Sequence, residues 1–82
     1  MILVNVKLFA QVKEIAGSSE RIVQLDDGSV AEDVLASLEL QFPSLREFRR
    51  YVRLAVNQSY VSLDHSLRDG DEVAIIPPVS GG

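Results

Sequence analysis

Glu72-Val73-Ala74-Ile75-Ile76-Pro77-Pro78-Val79-Ser80-Gly81-Gly82 decides how the rest of the chain has to be arranged. Residues 72–76 form a nearly continuous apolar run of strand length, which predicts a strand buried between neighbours on both sides and so central in its sheet. Two prolines follow with no polar spacer, fixing φ and stiffening the exit from that strand. Gly81 and Gly82 carry no Cβ and fit a passage too narrow for any side chain. Fully extended, the segment from Pro77 to Gly82 reaches roughly 20 Å, enough to enter another protein's active site. The Gly82 carboxylate is therefore the candidate working group. Frayed glycine-rich ends are the ordinary alternative; an apolar strand running directly into Pro-Pro and Gly-Gly argues against it. Residues 1–76 are read as one compact domain and residues 77–82 as an extended, flexible tail.

Outward from this stretch, Ile2, Val4, Val6 and Leu8 alternate with Leu3, Asn5, Lys7 and Phe9, the period of a strand with one strongly apolar face. Ala10 to Ala16 reads as a short helical turn closed by Gly17, and Arg21 to Leu25 as a second strand with Ile22 on the face opposite Val23 and Leu25. Asp26-Asp27-Gly28 is a turn, and Ser29-Val30-Ala31-Glu32 has the form of a capping box. It should open an amphipathic helix that presents Val30, Val34, Leu35, Leu38 and Phe42 and stops before Pro43. Ser44-Leu45-Arg46-Glu47 repeats the capping pattern and predicts a short second helix. Val52, Leu54 and Val56 mark a third strand, Asn57-Gln58-Ser59 a turn, and Tyr60-Val61 a brief return. Leu63 to Arg68 shows no period, and Asp69-Gly70-Asp71 turns the chain into the last strand. The order predicts an α+β fold, a mixed sheet of four to five strands wrapped over one main helix, with the first and last strands adjacent and parallel.

The chain has 82 residues, 46% hydrophobic and 24% charged, which allows one domain with one small core. It contains no cysteine and one histidine, so disulfides, Cys/His zinc sites and side-chain thiol chemistry are excluded. Any sulfur carried here would have to sit on a carboxyl. A net charge of −4 and a pI near 4.7 argue against nucleic acid and anionic membranes as partners. The apolar start Met1-Ile2-Leu3-Val4 is broken at Asn5 and Lys7, too short for a signal peptide or a spanning helix, so a cytoplasmic protein is expected.

Inside the domain, candidates for chemistry are few. Asp64 precedes His65, yet no Ser or Cys nucleophile accompanies them in a recognisable motif. Asp26-Asp27 and Asp69-Gly70-Asp71-Glu72 fall where turn residues are required and lack calcium-loop spacing, so no metal site is expected. Asn57-x-Ser59 matches a glycosylation sequon without a secretory signal. No phosphate-cradling glycine motif occurs, so any ATP would be bound by a partner. Arg46, Arg49, Arg50 and Arg53 cluster around Glu47 and read as a solvated helix face. The sheet face opposite the helix is expected to carry Leu3, Phe9, Ala55 and Ile76, with Lys7 and Arg53 among them, either as a docking surface or covered by the irregular segments.

Val6-Lys7-Leu8-Phe9-Ala10, Ala55-Val56-Asn57-Gln58, and Asp69-Gly70-Asp71-Glu72-Val73-Ala74 leading into Pro77-Pro78-Val79-Ser80-Gly81-Gly82 resemble the small-subunit family of molybdopterin synthase. These are ubiquitin-like (β-grasp) sulfur carriers, and the resemblance spans essentially the whole chain. It implies that Gly82 is adenylated by an E1-like adenylyltransferase using ATP, then converted to a thiocarboxylate by a sulfur donor, a sulfurtransferase or desulfurase. It further implies that the tail enters the synthase large subunit and gives its sulfur to cyclic pyranopterin monophosphate in molybdenum cofactor biosynthesis. Gly81 would supply room, with Pro77, Pro78, Val79 and Ser80 positioning the tail. The chain would then be a catalytic subunit, in a heterotetramer, with no complete active site and no bound cofactor of its own. The same ending leaves open a sulfur carrier for thiamin or another thiolated product, or a ubiquitin-like protein modifier.

Overall fold

The alternating apolar residues of the first segment form β1 (Ile2–Leu8), burying Ile2, Val4, Val6 and Leu8 on one face and leaving Leu3 exposed on the other. There follow α1 (Ala10–Ala16), β2 (Glu20–Leu25), α2 (Ala31–Gln41), a 3-10 turn (Pro43–Phe48), β3 (Arg53–Val56), β4 (Ser59–Val61) and β5 (Glu72–Ile76). The computed structural model describes residues 1–78. The expectations placed on Val79, Ser80, Gly81 and Gly82 lie outside the described residues. The strands make one sheet in the order β2-β1-β5-β3-β4, so β5 is central, as its apolar run predicts. It pairs in parallel with β1, Val6 opposite Val73 and Leu8 opposite Ile75, and antiparallel with β3, Leu54 opposite Ile75 and Val56 opposite Val73. The arrangement is the mixed α+β sheet expected of a β-grasp.

One face of the sheet is covered by α2, which buries Ala31, Val34, Leu35 and Leu38 against it. Val34 and Leu38 are 0% exposed; burying a side chain of this size stabilises a fold by about 1.5–3 kcal/mol. Val12 from α1 and Leu45 from the 3-10 turn complete the core. Gly17 closes α1 with φ 77°, a left-handed conformation that costs glycine no Cβ clash.

Two helix starts differ from the sequence expectation. The residue preceding α2 is Val30, not Ser29, and the side chain that reaches back is Asp33, whose Oδ2 accepts the Val30 N–H at 2.8 Å. The free amides of Ala31 and Glu32 donate to the carbonyls of His65 (2.9 Å) and Leu63 (2.8 Å), while Ser29 O accepts from Leu67 N–H (3.0 Å). The aperiodic segment after β4 thus caps the helix from far along the chain, a partner no local pattern reveals. The second expected helix begins at Pro43 and is a 3-10 turn. Proline suits a first helical position because it has no amide to satisfy, and Leu45 is pinned in the core.

Two segments singled out in the sequence meet here. Asn57 and Gln58 form the two-residue loop between β3 and β4 with φ 50° and 72°, the pair of positive angles that a type I′ hairpin turn demands. Asn57 Nδ2 donates to Asp71 Oδ1 at 3.0 Å and its Oδ1 accepts the Glu72 N–H at 3.0 Å, while its own N–H donates to Glu72 O at 2.8 Å. Asp71 also accepts the Arg68 N–H at 2.8 Å, and Asp69 accepts the Leu3 N–H at 2.8 Å. The acidic turn therefore works as a polar clasp at the start of β5. Asn57→Ala removes both side-chain bonds and tolerates positive φ poorly, so we expect it to lower unfolding free energy by about 2 kcal/mol. Asn57→Gly keeps the turn and should lose about half of that. Urea unfolding of the three proteins measures the split, and wild-type midpoints for both variants would refute the clasp.

Candidate functional site

The candidate site is the place where β5 leaves the sheet. Leu8 and Ile75 are register partners in adjacent parallel strands, so the next residues, Phe9 and Ile76, emerge together at one edge of the fold. The chain after Phe9 turns away into α1 through Ala10, whose φ of 47° is unusual for a residue with a Cβ. The chain after Ile76 continues into Pro77, which is buried, and Pro78, which is exposed. Phe9, Gln11, Glu14, Ile76, Pro77 and Pro78 line an open concavity of about 450 Å³ at this exit. Its walls are apolar except for the Gln11 amide and the Glu14 carboxylate.

The four expected docking residues do not form one patch. Phe9 (46% exposed) and the half-buried Ile76 share the exit. Ala55 is buried, flanked by Ala74 on β5 and Tyr60 on β4. Leu3 is exposed but lies opposite Gln24, six residues back along β1 from Phe9 and so roughly 20 Å away. The sheet face they share is mixed in character. One row across it reads Glu20, Lys7, Ala74, Ala55, Tyr60, with small residues in the middle and charged or aromatic ones outside. Tyr60, 65% exposed, and Ile22, 74% exposed, are the large apolar side chains that sequence reasoning did not assign to this face for docking. Tyr60 was findable: a two-residue turn at Asn57-Gln58 puts it directly opposite Ala55.

The other sequence candidates are dispersed. His65 is exposed, and its backbone hydrogen-bonds to Ala31 and Ser62. The Asp64 carboxylate accepts the Ser62 hydroxyl at 2.6 Å, so the neighbours Asp64 and His65 act separately. Asp26 and Asp27 border a shallow polar hollow with Asp33 at the opposite end of the fold from the exit. Among the described residues no group of three His, Asp or Glu stands close enough to hold a metal ion, and no helix is long and apolar enough to cross a membrane.

Comparison with known proteins bears on this geometry. A model of the ThiS family matches residues 6–82. The chain is 43% identical to a molybdopterin synthase sulfur carrier subunit of Chlamydomonas reinhardtii, covering 96% of this chain and 98% of that protein. It is 40% identical to the protein of the same name from Mycobacterium tuberculosis, with both chains covered in full. Among solved structures, small archaeal modifier protein 1 from Methanosarcina acetivorans superposes with a TM-score of 0.84 at 33% identity, over 100% of this chain and 98% of that one.

On this face Lys7 lies between β2 and β5, its Nζ 2.8 Å from Glu20 Oε1 and 3.6 Å from Glu72 Oε1. The hydrogen bond to Glu20, followed by the charges of Glu20 and Glu72, holds the ammonium above its ordinary pKa. A raised folded-state pKa stabilises the fold fully below the unfolded value and ceases to do so as pH rises through the folded one. Wild type should therefore lose stability relative to Lys7→Met as pH climbs beyond about 10.5, with their difference constant from neutrality to about pH 9. Thermal melts across this range test it; a difference that does not change above the lysine range would show that the pairing contributes nothing.

Proposed function

The chain belongs to the ThiS family, and on that premise we propose that it is the sulfur carrier subunit of a molybdopterin synthase, with its working group at Gly82. The observation that carries the reading is the exit itself. The central strand, held on both sides, delivers Pro77 and Pro78 to the edge of the fold, beside Phe9. The names of the relatives point the same way.

In the proposed cycle an E1-like adenylyltransferase binds ATP, and the Gly82 carboxylate attacks the α-phosphorus with loss of pyrophosphate. A carboxylate is a poor electrophile; the acyl-adenylate gives its carbonyl a good leaving group, AMP. The outer sulfur of a persulfide on a sulfurtransferase or desulfurase then attacks the carbonyl carbon and AMP departs; a second thiol cleaves the resulting acyl disulfide, itself ending in a disulfide, and the terminus is left as a thiocarboxylate. With no cysteine in the chain, this thioacid is the sulfur nucleophile the protein can offer. The tail enters the large subunit, where the sulfur passes to cyclic pyranopterin monophosphate. Gly81 leaves clearance in both narrow sites, and Pro77, Pro78, Val79 and Ser80 span the distance between fold and chemistry. Bases, pterin pocket and ATP site belong to the partners, so this chain acts as a sulfurtransferase subunit, two copies with two large subunits.

The likeness to small archaeal modifier protein 1 favours a second reading, attachment of the same terminus to lysines of other proteins. Intact-mass and C-terminal fragment spectra, after incubation with ATP, an E1-like activator and a sulfur donor, address the first reading. We expect replacement of one oxygen by sulfur, confined to fragments that contain Gly82; fragmentation is needed because oxidation of Met1 gives nearly the same mass change. Gly81→Trp, or one residue added after Gly82, should abolish transfer to the pterin and leave the fold intact. An unmodified terminus, with an activator proven on another carrier, would overturn the proposal. Higher-mass adducts in extracts, lost on deleting Gly82, would support the modifier reading.

A further inference from the structure

Half of the chain's eight lysines and arginines fall at Arg46, Arg49, Arg50 and Arg53, and the fold divides them by role. Arg49 is committed to the structure: its Nε donates to Glu39 at 2.8 Å and its Nη1 to Glu32 at 3.3 Å, tying the end of the 3-10 turn to α2. Its bond to the Glu39 carboxylate holds the guanidinium above the ordinary pKa. Arg50 and Arg53 have no carboxylate within salt-bridge distance among the described residues. Their guanidinium carbons stand over aromatic rings instead, Arg50 at 5.9 Å from the Tyr51 centroid and Arg53 at 5.7 Å from that of Tyr60.

Arg50, Arg53, Tyr60 and Leu63 border a cleft of about 390 Å³, and no Asp or Glu lines it. Tyr60 and Leu63 are 65% and 47% exposed. In a chain of net charge −4, this is a local reversal of sign with apolar walls. Guanidinium groups on such walls bind carboxylates as planar, two-bonded pairs, and an aromatic face beside them shields the contact from water. The acidic remainder of the protein repels an extended polyanion such as nucleic acid. The cleft also neighbours the exit, because Arg53 is the register partner of Ile76, the residue before Pro77.

We infer that the Arg50–Arg53 cleft receives acidic side chains, Asp or Glu, on the protein that takes up the tail, and that this contact steers the docking of the two. The inference rests on the carrier reading. It requires the partner's carboxylates to flank the mouth of its tail passage on the β4 side. The contact acts on encounter, not on the reacting atoms, since interfacial charges of this kind mainly change association rates and their salt dependence.

The test is stopped-flow association of the thiocarboxylated chain with the synthase large subunit from the same source, from low to high salt, together with steady-state sulfur transfer. Arg50→Glu/Arg53→Glu should slow association about tenfold at low salt, flatten the salt dependence, raise KM and leave kcat and the melting temperature unchanged. Arg50→Gln/Arg53→Gln should fall between. Arg46→Glu, an exposed charge reversal outside the cleft, serves as the control and should have an effect of roughly threefold or less. Equal effects from Arg46→Glu and the cleft variants, or none from either, would overturn the proposal. So would a salt-sensitive self-association, or binding of a single-stranded oligonucleotide, that the cleft variant abolishes without changing association with the large subunit. A wild-type chain that fails to associate at all would remove the carrier reading and the cleft's role with it.

Discussion

The parallel pairing of β1 with β5 is the constraint from which the rest of the architecture follows. Parallel neighbours cannot be joined by a tight turn, and here the two strands lie at opposite ends of the chain, so everything between Leu8 and Glu72 is one long crossover. That crossover supplies the helix on one face, the antiparallel β2 on one flank and the β3–β4 hairpin on the other. The pairing is secured at its start by polar bonds. Asn5 N–H donates to Asp71 O and Gly70 N–H to Leu3 O, at 2.9 and 2.8 Å, beside the Asp69 and Asn57 contacts. With first and last segments paired, contacts are distant in sequence, and folding has to close the long loop before that pairing contributes.

What was legible in the sequence and what was not divides along the same line. Period-two alternation in Ile2 to Leu8 and the apolar run Glu72 to Ile76 report local burial, and both strands were found with their correct faces and their adjacency. The helix cap was misplaced because the carbonyls that satisfy Ala31 and Glu32 come from Leu63 and His65, over thirty residues away. Ala55 shows the limit on the site side. Its outward position in β3 follows from alternation, but its burial follows from its neighbours Ala74 and Tyr60, which only the register supplies. Phe9 and Ile76 were each marked, while their convergence at the exit needed the Leu8–Ile75 pairing. The Gly81-Gly82 ending was legible as a motif and lies beyond the described residues.

Charge is distributed with the same economy. Lys7 is taken up by Glu20 and Glu72, Arg49 by Glu39 and Glu32, and the acidic turn by backbone amides and Asn57. These contacts are mostly at the surface, where an ion pair contributes about 0–1 kcal/mol, so they chiefly orient segments that the core already stabilises. Arg50 and Arg53, like Arg21 over Phe42, face aromatic rings and not carboxylates among the described residues.

The two prolines explain why the sheet stops where it does. The last register pair of β5 with β3 is Ile76 opposite Arg53, and Val52 and Tyr51 precede Arg53. A tail with ordinary amides could go on pairing beside them and extend the ladder by another residue or two. Pro77 and Pro78 have no N–H to donate, so continuation would leave the opposing carbonyls without partners. The strand is therefore terminated by chemistry instead of length, and Pro77 and Pro78 lie outside the sheet. Upstream of that break, β5 is hydrogen-bonded on both sides, so tension applied to the tail is resisted by two ladders loaded in shear. A pull transmitted through Pro77 is thus borne at its root by a strand paired on both sides.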